Sequence, residues 1–365
     1  MTRQSPFAPL SFSRGPAMKN RFMLAPLTNL QSHDDGRLSE DEFHWLTMRA
    51  RGGFGATMTC ASHVQARGKG FPGQLGVFGD EHLDGLGRLA AGIRKEESVA
   101  ILQLHHAGMR SPREQIGEAP VCPSANAETG ARALEPDEVE ELAEDFVAAA
   151  LRAERAGFDG VEVHGAHGYV LAQFLSAEVN TRDDRYGGSL ENRSRILFDV
   201  VEGIRERCRP DFVVGVRLSA ERFGVTLAEA REVAQRLMRE DQVDFVDMSL
   251  WDVFKEPAEE EFQGRSLLSY FTELDRGRVR LGAAGKITSA ADVRACMEAG
   301  LDFVLPGRAG ILHHDFPMRV RDDTDFEQVA LPVSADYLRA EGLGEAFIGY
   351  MSTWGGFVGA PETGT

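Results

Sequence analysis

Two histidines and a tyrosine follow a short apolar segment near the middle of the chain, at His164, His167 and Tyr169. The segment before them, Val161 to Val163, is typical of a buried strand. Catalytic side chains of α/β barrels project from the carboxyl ends of such strands, where they face a ligand. The cluster therefore predicts an active site with hydrogen-bond donors and a proton source. The alternative is that these side chains are satisfied polar caps at a strand end.

Apolar segments alternate with helical segments along the whole chain. One junction recurs at 156–161, 241–246 and 299–304: a helix end, a short turn with Asp, then an apolar strand. Repeated helix–turn–strand units favour a closed (β/α)8 TIM barrel. A doubly wound fold would need G-x-G-x-x-G after its first strand, and the glycine groups at 52–55 and 85–87 lie in the wrong places. The predicted strands are 21–27, 56–61, 99–104, 161–163, 213–218, 245–249, 279–282 and 303–305.

Capping residues and apolar periodicity define the helices between these strands. Ser39 precedes an acidic first turn, and Pro136 opens an amphipathic helix that Gly157 ends. We predict a single domain over residues 1–365, with an irregular N-terminal segment over 1–20 and an irregular C-terminal tail from about 320. The predicted helices are 39–51, 83–95, 136–156, 189–208, 227–239 and 290–298.

Composition excludes several classes of function. The formal charge of −17 would repel nucleic acid and anionic membranes. The four cysteines are scattered and form no CxxC pair, which indicates reduced thiols and no metal site. Because no segment is typical of a signal peptide or a membrane span, we expect a cytoplasmic protein without a membrane partner. The composition is compatible with a homo-oligomer.

Two glycine-containing turns with one cation each follow the last two strands. These are Gly285-Lys286 and Gly307-Arg308. Barrels often bind phosphate after strands seven and eight, using backbone N–H groups. An ordinary β–α turn is the alternative for either turn alone. Together they predict a phosphate site.

Other strand ends supply groups that suit a flavin ring. The amide of Gln103 can donate to and accept from an imide edge, Arg217 offers a fixed positive charge, and Thr28 offers a hydroxyl donor. An imide edge, a group that becomes anionic and a phosphate tail together describe flavin mononucleotide (FMN). Cys60 ends the second strand, where it either contacts the flavin or is a small buried filler.

The motifs around these residues resemble those of the Old Yellow Enzyme family of FMN-dependent oxidoreductases, from residue 20 to about 317. The most specific are HGAHGY from His164 to Tyr169 and YGGSLENR from Tyr186 to Arg193. The resemblance implies that His164 and His167 bind the carbonyl or nitro oxygen of an activated alkene, a small-molecule substrate. It implies that Tyr169 then delivers a proton. Hydride transfer would place negative charge on that oxygen, which the imidazole N–H groups would stabilise.

The resemblance also implies tightly bound, non-covalent FMN that NADPH or NADH reduces. The expected cofactor-binding residues are Pro26, Leu27, Thr28, Cys60, Gln103, Arg217, Gly285, Lys286, Gly307 and Arg308. Two alternatives stay open: a flavin-free, phosphate-binding aldolase or isomerase barrel, and a non-catalytic flavin-binding barrel. Trp251 and the aromatic tail segment 347–354 have no assigned place. The tail would close a subunit interface, cover a neighbour's site or, as we expect, simply pack.

Overall fold

An eight-stranded parallel sheet forms the centre of the fold. In the computed structural model, which describes residues 5–359, neighbouring strands follow chain order, and a parallel bridge from Phe22 to Val304 joins the first strand to the last. The predicted (β/α)8 TIM barrel is therefore confirmed, and all eight predicted strands are present. Strands β1 to β8 are Met23–Leu24, Ala56–His63, Val99–His105, Gly160–Gly165, Val213–Ser219, Phe245–Ser249, Arg280–Ala284 and Phe303–Val304.

A helix follows each strand and packs on the outside of the barrel. The hydroxyls of Ser39, Ser189, Thr226 and Ser289 each accept the N–H three residues further on, at the start of a helix. Such a cap stabilises a helix by about 1 kcal/mol. Helices α1 to α8 are Glu40–Arg51, Leu83–Lys95, Pro136–Arg155, Leu190–Arg207, Leu227–Glu240, Ser269–Thr272, Ala290–Glu298 and Arg308–Leu312.

Short elements interrupt the loops at the carboxyl ends of the strands. The predicted loop 108–135 contains the helix Arg113–Ile116 and a two-stranded ladder of Val121–Cys122 with Arg132–Ala133. The helix Val170–Leu175 follows the histidine cluster and is entirely buried. These elements fix the loops that surround the open end of the barrel.

The N-terminal segment closes the other end of the barrel. Leu10 and Met18 form an antiparallel bridge, and both join a buried cluster with the first residues of the strands, such as Ala56 and Val99. The ring of Phe12 lies 5.5 Å from that of Phe245, inside the barrel. Burying each such side chain contributes about 1.5–3 kcal/mol. The barrel is therefore filled at this end and open at the carboxyl ends of its strands.

The tail differs from its prediction. Three helices, Phe316–Asp322, Ala335–Ala340 and Glu345–Ser352, lie where an irregular tail was predicted. The last of them is mostly apolar and buries Phe347, Ile348 and Met351, so packing stabilises it although it is short. Residues 1–4 and 360–365 of the two predicted terminal segments lie outside the described residues, and the single-domain organisation stays a prediction. Within residues 5–359, no helix has both the length and the apolar character needed to cross a membrane.

Candidate active site

Two adjoining cavities occupy the open end of the barrel. One, of about 440 Å³, lies over β7 and β8, and we call it the phosphate-side cavity. The other, of about 540 Å³, lies over β3 to β5, and we call it the mouth cavity. They share a wall made by the side chains of Pro26, Leu27, Arg217, Trp251, Ile311 and Trp354, so together they form one elongated cleft.

Both predicted glycine turns line the phosphate-side cavity. Gly285 has φ +153°, and a Cβ there would lie 2.8 Å from the backbone nitrogen of Asp252. Lys286 donates to the Asp252 carboxylate at 3.0 Å. Gly307 also lines this cavity, and a Cβ built there would lie 3.6 Å from Leu27, so the missing side chain leaves its backbone accessible to a ligand. With the exposed Arg308 beside it, this end of the cleft suits an anion.

Polar groups that suit an imide-bearing ring line the opposite side of the shared wall. Gln103 is buried and uses its amide N–H to donate to Glu162 at 2.6 Å, which leaves its carbonyl oxygen to accept from a ligand. Arg217 is buried, and Nε of its planar guanidinium lies 3.3 Å from the carboxylate of Asp247. Thr28 lines the same cavity, and its hydroxyl has no hydrogen-bond partner among residues 5–359.

These residues fit FMN. An amide acceptor, a guanidinium and a hydroxyl lie at one part of the cleft, and a glycine turn with an exposed arginine lies at the other. The wall between them is formed by apolar side chains such as Leu27 and Ile311, which suit the face of a flat ring. The guanidinium of Arg217, which lines both cavities, lies where the polar edge of such a ring would be held.

A buried pair of carboxyl groups lies beneath this polar edge. Glu162 on β4 and Asp247 on β6 are fully buried and flank Arg217 on β5. One oxygen of Glu162 and both oxygens of Asp247 lack a donor among the described residues. Burial first, and then the nearby Asp247, raise the pKa of Glu162 well above its ordinary value. We infer that the two groups share a single proton, which joins one oxygen of each and leaves one negative charge opposite Arg217.

The two predicted histidines are in contact in the mouth cavity. Nδ1 of His164 accepts from the backbone N–H of Ala166 at 3.2 Å, which puts the ring proton on Nε2. That nitrogen lies 3.2 Å from Nδ1 of His167, whose Nε2 lies 2.7 Å from the hydroxyl of Ser249. The rings therefore form a chain in which His164 donates to His167 and His167 donates to Ser249.

Both imidazoles are neutral at physiological pH. Burial lowers the pKa of His164 well below its ordinary value, and the nearby His167 and His105 add to the effect. Burial, with the charges of Arg217 and Arg110, lowers the pKa of His167 to about 3. Neutral rings can donate one hydrogen bond each, which is the role that the resemblance implies for this pair.

Tyr169 completes the cluster. Its ring centroid lies 5.2 Å from that of His164 and 4.4 Å from that of His105. The guanidinium of Arg110 lies 4.5 Å over the same ring and donates to the carbonyl of His167 at 2.6 Å. Burial raises the pKa of Tyr169, so the phenol keeps its proton at neutral pH. The structure thus brings all three predicted catalytic side chains into one cavity.

Cys60 is the exception among the predicted cofactor residues. Its side chain is fully buried and its Sγ lies 3.1 Å from the carboxyl group of Glu42 on α1, outside both cavities. A register shift in β2 between Met58 and Ala61 directs Ala61 toward the mouth cavity instead. The expectation of a flavin contact through this side chain is therefore wrong, and the alternative of a small buried filler describes it.

Several residues of the cleft were not predicted. Tyr350, Met351 and Trp354 reach it from the tail, so the aromatic tail segment lines the cleft of its own chain rather than only packing. Trp251 also lines it, with φ +65° and 68% of its surface exposed. The aromatic content of these segments was a visible signal, but nothing in the sequence placed them. Nothing in the sequence identified the loop residues Arg110, Arg222 and Phe223 as part of the cleft.

Comparison with known proteins identifies a family of flavin-dependent oxidoreductases. The model of the NADH:flavin oxidoreductase / NADH oxidase family matches residues 5–327. A probable NADH-dependent flavin oxidoreductase, YqiG of Bacillus subtilis, is 34% identical over 327 residues, which is 87% of each chain.

Solved structures agree with the sequence relatives. The Old Yellow Enzyme homologue of Zymomonas mobilis superposes with a TM-score of 0.80 at 26% identity, over 92% of this chain and 96% of that one. Morphinone reductase gives a TM-score of 0.76 at 28% identity, over 93% and 94%. These proteins use FMN with NADH or NADPH as the reductant. The chain therefore belongs to the NADH:flavin oxidoreductase / NADH oxidase family, together with the Old Yellow Enzyme homologues, and is an oxidoreductase.

Proposed function

We propose that this flavin-dependent NAD(P)H oxidoreductase is an ene-reductase. Its substrates would be small molecules in which a carbonyl or nitro group activates a C=C bond. The observation that carries the proposal is the cluster of two neutral, mutually hydrogen-bonded imidazoles beside a protonated phenol, in the mouth cavity. A flavin-free aldolase or isomerase is excluded by membership of the family.

The histidines would bind the activating oxygen. The N–H at Nε2 of His164 presently donates to another ring, a hydrogen bond that an entering oxygen replaces with a stronger acceptor. The N–H of His167 is held by Ser249 at 2.7 Å, so that ring must turn before it donates to the same oxygen. Donors aimed at an oxygen that gains negative charge during reduction stabilise the transition state more than the substrate.

Tyr169 would supply the proton. Its phenol is protonated at neutral pH, and Arg110 against its ring favours the phenolate that remains once the proton has left. FMN supplies hydride transfer when it is bound, first from NAD(P)H and then to the alkene. Since one cleft serves both NAD(P)H and the alkene, we expect them to bind in turn, in a ping-pong sequence.

Anaerobic stopped-flow absorbance in the visible flavin band tests the proposal. The FMN-loaded protein is mixed with NADH or NADPH, and the reduced protein is then mixed with cyclohexenone. We expect rapid bleaching and rapid return of the colour, with the second step slowed about 10²- to 10³-fold in His164→Ala/His167→Ala. The matched control is His33→Ala/His44→Ala, which removes two exposed imidazoles that line neither cavity.

Each part of the proposal can fail separately. A protein that is reduced by NAD(P)H but not re-oxidised by any activated alkene would be a flavoprotein without ene-reductase activity. Re-oxidation at an unchanged rate in the cleft double variant would remove the assigned role of the histidines. Loss of the reaction in the control variant as well would show that the effect is not specific to the cleft.

A further inference from the structure

The cleft is cationic although the chain is strongly acidic. The chain has a formal charge of −17, yet no Asp or Glu among the described residues lines either cavity. Every charged side chain in their walls is a cation. These side chains are Arg110, Arg217, Arg222, Lys286 and Arg308.

Three of these cations already have a function or a partner. Arg217 lies against Asp247, with 3.3 Å between Nε and the carboxylate. Lys286 pairs with Asp252 at 3.0 Å. Arg308 lies at the phosphate side of the cleft, where FMN would bring its own anion.

Arg110 and Arg222 remain uncompensated. Both are exposed, both line the mouth cavity together with His164, His167 and Tyr169, and neither lines the phosphate-side cavity. Within the part of the chain that the structure describes, the contacts of these two arginines are to a carbonyl oxygen and to aromatic rings, and neither forms an ion pair with a carboxylate. An acidic protein that keeps two unpaired guanidinium groups beside its reactive side chains attracts anions to that place.

Aromatic rings hold these two arginines and leave their hydrogen-bonding edges available. Arg110 lies over Tyr169 at 4.5 Å and Arg222 lies over Trp251 at 5.4 Å. A guanidinium stacked on a ring still presents N–H groups in its own plane, in a fork that matches a carboxylate. Arg110 uses one nitrogen for the carbonyl of His167, which fixes its position relative to the catalytic pair.

We propose that the preferred substrate carries, besides the group that activates its C=C bond, a separate carboxylate that Arg110 and Arg222 bind. The inference rests on the proposed function and narrows its substrate class. The activating oxygen would lie at His164 and His167, which are neutral donors, and the carboxylate would lie toward the mouth, at the two cations. The substrate class is therefore an anionic enone or nitroalkene that carries a carboxylate apart from its activating group.

The same cations could instead serve the phosphates of NADH or NADPH, which enter the same cleft. The two sources share their chemistry, an oxyanion beside a guanidinium, but they act in different half-reactions. A carboxylate on the alkene affects only binding of the alkene or its product. A nicotinamide phosphate affects only binding of the reductant and reduction of the flavin.

Calorimetric titration of the oxidised, FMN-loaded protein separates these sources without any turnover. The probes are a cyclohexanone that carries an acetate side chain and the methyl ester of the same compound, both saturated and therefore unreactive. We expect the carboxylate to bind roughly tenfold more tightly than the ester at low ionic strength. The preference should shrink as salt is added, because exposed charges are screened.

Substitutions assign the preference to the two arginines. In Arg110→Gln and in Arg222→Gln the carboxylate-to-ester ratio should fall about threefold each, and in the double variant it should approach one. Arg110→Lys keeps the charge but loses the planar fork, so it should keep more of the ratio than Arg110→Gln but less than the unsubstituted protein. Arg113→Gln removes an exposed positive charge from the same loop without touching the cleft, and should keep the full ratio.

Two results would overturn the inference. One is equal binding of carboxylate and ester by the unsubstituted protein. The other is a double variant whose carboxylate-to-ester ratio is unchanged but whose Kd for NADH or NADPH rises about tenfold. That Kd is obtained from the rate of flavin reduction. Failure of the proposed function would give a different result. In that case no enone, charged or neutral, would re-oxidise the reduced protein, whatever the carboxylate-to-ester ratio.

Discussion

Replacing Asp247 with Asn tests the charge balance beneath the cleft. Asp247 lies 3.3 Å from Nε of the buried Arg217, and at an effective dielectric constant of about 20 this attraction amounts to about 5 kcal/mol. Removing one partner of a buried ion pair usually costs about 3–5 kcal/mol of stability, since the other charge is left alone. Here a second carboxyl group, Glu162, lies beside the first, and burial and the neighbouring Asp247 raise the pKa of Glu162 well above its ordinary value.

Glu162 should therefore replace Asp247 as the counter-ion. Without the neighbouring carboxylate, the pKa of Glu162 falls, and its ionised form balances Arg217. We expect Asp247→Asn to lower the free energy of unfolding by only about 1–2 kcal/mol, the scale of a rearranged buried hydrogen bond. Glu162→Gln should cost about 1 kcal/mol or less. The double variant leaves Arg217 without an anion and should cost about 3–5 kcal/mol.

The pH dependence gives a second test with a definite sign. The folded-state pKa of Glu162 is raised, so its contribution to stability is complete below the unfolded-state value and is lost as the pH rises toward the folded-state value. The loss is at most about 1.4 kcal/mol per pH unit. Glu162→Gln cannot ionise, so its stability relative to the unsubstituted protein should improve as the pH rises.

Urea unfolding measures all three variants, at several pH values and at one fixed excess of FMN, because bound cofactor adds to apparent stability. The expected coupling between the two substitutions is about 1–3 kcal/mol. Additive losses would refute the shared proton. So would a difference between Glu162→Gln and the unsubstituted protein that does not change with pH.

Three further predictions concern the cleft itself. Tyr169→Phe should slow re-oxidation of the flavin by an enone about 10²-fold or more and abolish the solvent isotope effect on that step. Flavin reduction by NAD(P)H should persist. An unchanged isotope effect would exclude Tyr169 as the proton donor. Because the pKa of His167 is about 3, the rate of the enone step should show no imidazole titration between about pH 5 and 8, and a break near pH 6.5 would contradict the neutral pair. Gly285→Ala should weaken FMN binding at least tenfold in a fluorescence titration, because the new Cβ meets the backbone of Asp252 at 2.8 Å. Gly349→Ala, in the exposed face of a helix with nothing within 4 Å, is the matched control and should bind FMN normally.

Local patterns were sufficient for the barrel. Each strand of a (β/α)8 barrel is a short apolar segment, and four of the eight barrel helices begin at a capping Ser or Thr, so these signals lie within a few residues of one another. The helices Leu83–Lys95 and Ala290–Glu298 begin and end where the sequence predicted. The prediction of an irregular tail was wrong because the helices there are short and depend on packing rather than on apolar periodicity, as the buried Phe347 and Met351 show.

Spacing also identified the residues that meet at the strand ends. In a parallel barrel the carboxyl ends of all strands share one face, so Gln103, His164, Arg217 and Gly307 had to meet once the strands were known. No knowledge of side-chain contacts was needed for that conclusion. The sequence by itself thus determined the fold class, the open face and most of the side chains that surround it.

Tertiary structure alone decided which way individual side chains face and which distant residues meet. A one-residue shift reverses the faces of a strand, and the register shift in β2 turned Cys60 away from the cleft and Ala61 toward it. Glu162 and Asp247 come together only because β4 and β6 flank β5, and Trp354 reaches the cleft only because the tail packs back on the barrel. Such contacts depend on strand register and chain closure over long separations, for which a linear sequence carries no local signal.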